Sequence, residues 1–329
     1  MNTWTLETEE SRELLLNQAE QVAKQALTQY DIKVSNVTFL NISDAITYKV
    51  ESEPSGAYLL RMNVKCNGSK MIETEIHLLS HIREQKITTP IGVKTKSGDY
   101  VQTASLNIIN ETIEVHISLM TWLEGQDFDH APTEQQITQA GALLANLHNT
   151  MASFDVSCDA FDKIGIKSFA ESMNKLYKYH SNFLKKEEWD IYQQASHKIN
   201  EELESYEVNQ ANVGIIHGDY HWGNLIHNHD QVYPIDFGRC SIGPYSYDLA
   251  TALLGLGKAN RSVFLDAYLR VRELDVNYIQ QITTMFVMVM IDNYAHHSSN
   301  PEEFAGLIEE QEIAIQYLNA YLKDELTLF

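Results

Sequence analysis

The sequence predicts an α+β chain in two parts: a small strand-rich first part and a larger, mostly helical second part. Three observations carry this. Short β-prone runs alternate with turn residues between positions 36 and 64. From about Gly125 onward, apolar residues recur every three or four positions instead. A length of 329 residues suits two lobes or two domains.

The elements follow in chain order. The first thirty residues read as a helix ending near Tyr30. "NVTFLN" and "AITYKVES" are strand-like runs joined by the polar turn "NISD". Pro54–Gly56 is a turn signal, and "AYLLRMN" is a third strand. "MIETEIHLLSHIRE" has the period of a helix, with Ile72, Ile76, Leu79 and Ile82 on one stripe. Glu75 falls inside that stripe, and a carboxylate on a buried face needs a cationic partner. Ser97–Asp99 reads as a hairpin turn and "IEVHISLM" as a strand. Met120–Gly125 is the natural link. The expected boundaries are a first lobe over 1–120, a hinge at 121–125 and a helical lobe over 126–329. In that second lobe Thr133 and Gln136 have capping-box spacing ahead of a helix to Met151. Residues 168 to 205 look helical. Three more amphipathic helices close the chain, the last opened by Asn300 and Pro301.

Composition narrows the function. Hydrophobic content of 44% supports a real core. A net charge of −21 disfavours nucleic acid and acidic membranes as partners and tolerates cationic ligands. Cys66, Cys158 and Cys240 are scattered and odd in number, which argues for a reducing compartment. No signal peptide is visible, and "MFVMVMI" is too short to span a bilayer. These features lead to the expectation of a cytoplasmic protein, monomer or homodimer.

The chemistry concentrates in "IIHGDYHWGNLIHNHD" and the "YPIDFG" that follows. Four histidines in the first stretch suggest a metal site, and His217 and His221 have the spacing of a helical zinc pair. But Gly218 and Gly223 oppose a helix there, and no H-E-x-x-H is present. The oxygen donors make the better case. Asp219 precedes Asn224 by five residues, and Asp236 comes twelve later. Between them, two apolar runs flank the turn "NHDQ", which reads as a tight hairpin. The hairpin would return Asp236 beside Asp219 and Asn224. Hard oxygen ligands of this kind suit magnesium with nucleotide phosphates. The interval D-x4-N followed by D-F-G is that of the kinase fold. In that chemistry Asp219 accepts the proton of an attacking hydroxyl, while Asn224 and Asp236 hold Mg2+.

"HGDYHWGN" with "PIDFGRCSIGPYSYDLATALL" resembles the aminoglycoside phosphotransferase/choline kinase superfamily, the small-molecule branch of the protein-kinase-like bilobal fold. The resemblance runs from about residue 35 to 255. It implies Asp219 as catalytic base, Asn224 and Asp236 as magnesium ligands, and ATP or GTP as co-substrate. His217 and His221 become scaffold, and Asp248 a carboxylate bracing the catalytic loop. "LMTWLEG" is similar to the family hinge, so the main chain of Thr121 and Leu123 would receive the base. "LANLH" is similar to the family helix ending in Leu-His, with His148 a core histidine.

Two departures stand out. The third strand offers Arg61 where a lysine is usual, with Glu75 as its ion-pair partner; arginine can fork onto phosphate oxygens. The phosphate loop "NISDAIT" has no glycine, leaving Ser43 as a donor. The acceptor is expected to be the hydroxyl of a small molecule, with Asp292 and Tyr294 as wall residues able to hold a cation. A protein Ser/Thr kinase of stress-kinase type and an inactive nucleotide-binding scaffold are the competing expectations.

Overall fold

The computed structural model describes residues 9–64, 68–108, 111–128, 130–155, 160–206, 208–229 and 231–329. These divide into two compact units, the first ending at Glu124 and the second starting at Gly125.

In the first unit, Leu15, Ala19, Ala23, Ala26 and Leu27 recur at three- and four-residue intervals and make one buried face of α1 (Glu9–Leu27). The small residues of this face let the helix lie close on a sheet. That sheet is antiparallel, with β1 (Val34–Ile42), β2 (Ala45–Ser52), β3 (Gly56–Val64), β4 (Val101–Ile108) and β5 (Glu111–Thr121) in the order β1-β2-β3-β5-β4. The period of two sorts its residues. Ile46, Tyr48, Val50, Leu60, Met62, Val115, Ile117 and Leu119 join α1 in one core. The register puts Thr47 opposite Arg61, and Arg61 opposite Ser118, on the other face. α2 (Ser69–Glu84) carries Glu75, which pairs with Arg61. Ser97–Asp99 makes a tight turn closed on Thr95, but not the hairpin expected there. β4 follows it and pairs antiparallel with β5. The sequence reading missed β4.

The second unit is mostly helical. A short strand β6 (Gln126–Asp127) precedes α3 (Glu134–Met151), whose capping box between Thr133 and Gln136 is formed. After β7 (Asp162–Lys163), the helical stretch expected over 168–205 is two helices, α4 (Ile166–Tyr179) and α5 (Lys186–Ser205). A single 3-10 turn at His180–Asn182 separates them. Next come β8 (Val213–Ile216), β9 (Leu225–Asn228), β10 (Gln231–Pro234) and β11 (Ser241–Pro244). β10-β9-β6 and β7-β11-β8 form two small sheets.

Where three closing helices were expected, four stand: α6 (Tyr245–Leu254), α7 (Lys258–Leu269), α8 (Tyr278–His297) and α9 (Phe304–Leu322). α6 is buried on nearly every side, so no amphipathic period marks it. α3 lies close on α7 because Gly141 has no Cβ: one would sit 2.3 Å from the Phe264 carbonyl oxygen. "MFVMVMI" is the buried interior of α8. No helix of the described residues is long and apolar enough to cross a membrane. Cys240 is buried; Cys66 and Cys158 lie outside the described residues.

Candidate active site

The loop after β8 begins with a glycine whose geometry no other residue accepts readily. Gly218 has φ +77°, and a Cβ there would lie 2.1 Å from the Arg239 carbonyl oxygen. The chain can therefore turn tightly between His217 and Asp219. Both N–H groups at that turn donate to one carboxylate: His217 to Asp248 Oδ2 at 2.7 Å and Gly218 to Asp248 Oδ1 at 2.8 Å. Asp248 is fully buried in the first turn of α6. Further along, the loop is pinned by Tyr220, which donates to the Ala140 carbonyl, and by Trp222, which donates to Ala252.

Asp219 stands at the head of this loop with its side chain 22% exposed. The Asn224 Nδ2 donates to both its carbonyl oxygen and its Oδ2, each at 3.0 Å. Two oxygen partners fix which end of the amide faces Asp219, so Asn224 Oδ1 is turned away as the acceptor end. Asn224 O in turn accepts from the Ile235 N–H at 2.9 Å. That bond closes the β9–β10 hairpin beside the loop and makes Asp236 the next residue. Asp236 is exposed and left-handed, φ 58° and ψ 69°, a region where Asp and Asn are among the few tolerated side chains. The Arg239 guanidinium comes within 3.8 Å of Asp219 Oδ1 and bonds the ring of His296 at 3.2 Å.

Asn224 Oδ1 and the Asp236 carboxylate are hard oxygen donors on neighbouring stretches of chain, the kind magnesium takes alongside phosphates. The histidines have other partners. His217 is buried, donates from Nε2 to the Ile235 carbonyl at 3.1 Å and packs on Phe237. His221 accepts from the Gly223 N–H. His227 lies on β9, ahead of the turn, with its ring against Phe128. Among the described residues no group of three or more His, Cys, Asp or Glu is placed to hold a metal ion.

In the first unit the Arg61–Glu75 ion pair is buried, both side chains 6% exposed. Lys49, on the same sheet face as Arg61, lies over the Trp122 ring at 4.8 Å. Ser43 is exposed in the β1–β2 turn, where its N–H bonds the Ala45 carbonyl. Of the two hinge residues, Thr121 has its N–H committed to the Ile91 carbonyl at 2.8 Å, so it has no amide to give a base. Trp122 likewise donates to Ala57. Among the described residues, Leu123 makes no such backbone bond.

The expected wall pair divides. Tyr294 is a core residue, 2% exposed, its hydroxyl donating to the Leu307 carbonyl and its ring against Phe183 and Tyr192. Its ring face is not offered to a ligand. Asp292 is ringed by protein yet keeps part of its surface open to solvent. Its Oδ2 accepts from the Tyr247 hydroxyl at 3.3 Å, and the Ser172 hydroxyl of α4 also favours its charged form. Burial raises the Asp292 pKa to about 7, against the opposing pull of these hydroxyls and of Arg239. Tyr247, Ser172 and Arg239 were not assigned roles from the sequence. The one available signal was position: Tyr247 abuts Asp248, and Arg239 follows D-F-G directly.

A model of the phosphotransferase enzyme family matches residues 40–279. No curated protein matches the chain. Solved structures share its kinase-like, two-lobed α+β fold. A microcompartment-associated aminopropanol kinase is 21% identical with a TM-score of 0.79, over 94% of this chain and 100% of that one. An amicoumacin kinase in complex with AMP-PNP and Ca2+ is 17% identical, TM-score 0.75, over 94% of both chains. A spectinomycin phosphotransferase in complex with ADP and spectinomycin is 15% identical, TM-score 0.61, again over 94% of both.

Proposed function

Because the chain belongs to the phosphotransferase enzyme family, we propose that it moves the terminal phosphate of ATP or GTP onto a hydroxyl of a small, amine-bearing acceptor. The observation that carries this is the clamp of Asn224 on Asp219, which orients a partly open carboxylate beside the Asp236 hairpin. Asp219 takes the proton of the acceptor hydroxyl as its oxygen attacks the terminal phosphorus. The bond from that phosphorus to the bridging oxygen breaks, and the nucleoside diphosphate leaves. Positioning and charge, rather than covalent catalysis, supply the acceleration in such transfers. Mg2+, held by Asn224 Oδ1 and Asp236, would neutralise phosphate charge. Arg61, oriented by Glu75, would serve the phosphates, with Ser43 as a lesser donor. Leu123, rather than Thr121, offers a main chain for the base.

Asp292 supports the choice of acceptor. A carboxylate kept near neutrality by burial gains most from a cation that arrives with its own hydrogen-bond donors. An ammonium group does both, and the aminopropanol kinase among the similar structures is named for an amino alcohol. The test is a screen of amino alcohols, aminoglycosides and uncharged alcohols with Mg-ATP and Mg-GTP, read by phosphorylated product. The reading predicts product from an amine-bearing alcohol, and none from the Asp219→Asn variant. Product of equal yield from that variant would overturn it.

A further inference from the structure

The Asp248 carboxylate has a third hydrogen bond, and it does not come from the loop. His148, on α3 and fully buried, meets Asp248 Oδ2 through Nε2 at 3.0 Å. Its other nitrogen, Nδ1, meets the Tyr268 hydroxyl of α7 at 2.8 Å. The ring also packs 4.6 Å from that of Tyr245. These contacts leave little freedom in protonation. A carboxylate oxygen only accepts, so Nε2 carries a hydrogen. Burial lowers the His148 pKa and keeps the ring neutral, so Nδ1 accepts from the tyrosine. Burial also raises the Tyr268 pKa, which keeps that hydroxyl a donor. The chain of donors then has one direction: Tyr268 to His148 to Asp248, which holds the His217 and Gly218 amides immediately ahead of Asp219.

We propose that His148 is a positioning residue: locked by Tyr268 as the neutral Nε2–H tautomer, it sets the Asp248 carboxylate that fixes the backbone from which Asp219 projects. The loop's orientation is thereby tied to the packing of α3 on α7, far along the chain from it. The inference rests on Asp219 being the base of the proposed transfer. The charged and titratable groups facing His148 are Asp248, Tyr245, Tyr268, Arg272 and His217.

Two measurements on the full chain test it. The first needs no activity. Nitrogen-15 NMR of the His148 ring should show one neutral tautomer, protonated at Nε2, unchanged from about pH 5 to about pH 8. Tyr268→Phe should let the signals shift toward a tautomer mixture or begin to titrate. An Nδ1–H tautomer, or a ring titrating with an ordinary histidine pKa in the unmodified chain, overturns the proposal. The second uses Mg-ATP hydrolysis in water as the probe reaction. His148→Leu should lower kcat about 10- to 100-fold, leaving the KM for Mg-ATP within about twofold. His148→Gln keeps an N–H near the Nε2 position and should restore most of the rate. Equal rates for Leu, Gln and the unmodified chain, or losses in kcat and KM that simply follow lost stability, overturn it. If His148→Leu does not fold, the Gln and Tyr268→Phe variants carry the same comparison. If the unmodified chain has no turnover, the reading of Asp219 fails while the NMR outcome still decides the tautomer.

Discussion

The two units each set a carboxylate against a guanidinium, and they do it in opposite ways. Arg61 and Glu75 are sealed, both side chains 6% exposed, in direct contact. Asp219 and Arg239 are loose: 3.8 Å apart, with side chains 22% and 40% exposed. A sealed pair has already surrendered its hydration, so removing one partner leaves an uncompensated buried charge. A loose pair near water has little to lose in stability and keeps its oxygens reachable. The contrast separates a pair closed to solvent from one whose carboxylate stays within reach of it.

The largest expected effect lies on the loose side. Asp219→Asn should lower phosphate transfer about 10²- to 10⁴-fold, the range of general-base contributions, while thermal melting moves little. A variant that loses activity only in step with stability would erase the contrast. On the sealed side, Glu75→Gln should cost about 3–5 kcal/mol in urea unfolding, and Arg61→Met with Glu75→Leu should recover much of it. Full cost in the double variant would mean the pair contributes more than its own compensation.

Asp292 lies between the two extremes and adds a pH dependence. Its folded pKa is about 7, above the ordinary carboxylate value. The fold therefore favours the protonated form. The stability this contributes is present below about pH 4 and is lost as pH rises through about 7. Asp292→Asn cannot ionise, so its melting temperature relative to the unmodified chain should climb across that window and level off above it. A constant difference from acid to alkaline pH would remove Asp292 from the argument. The smallest effect is expected at an ion pair open on both sides: Lys24→Ala, which breaks the exposed contact with Glu20, should cost less than about 0.5 kcal/mol.

The elements that sequence reading located are those with a strong local period: α2, with Glu75 in its stripe, and α3, with its capping box. It erred where burial is complete or a break is short. α6 is buried on nearly every side and so has no polar face to betray it. The break between α4 and α5 is one 3-10 turn with no glycine or proline to mark it. At the candidate site the same split appears. Asp219, Asn224 and Asp236 lie within eighteen residues, and hairpin geometry alone brings their backbones together. Tyr294 reads as well as Asp292 from composition, since a helix seen only as letters does not say which face is inward.

What the sequence by itself determined is therefore the local chemistry: a D-x4-N loop, a hairpin that returns a second aspartate, and an arginine with a carboxylate inside a helical stripe. Short spacings restrict geometry before any tertiary contact forms. The tertiary structure alone decided which groups brace that chemistry. His148 reaches Asp248 across 100 residues and Tyr268 across 120, and Tyr247 reaches Asp292 across 45. Such partners are chosen by how helices pack, and packing depends on the whole of two surfaces rather than on any one spacing.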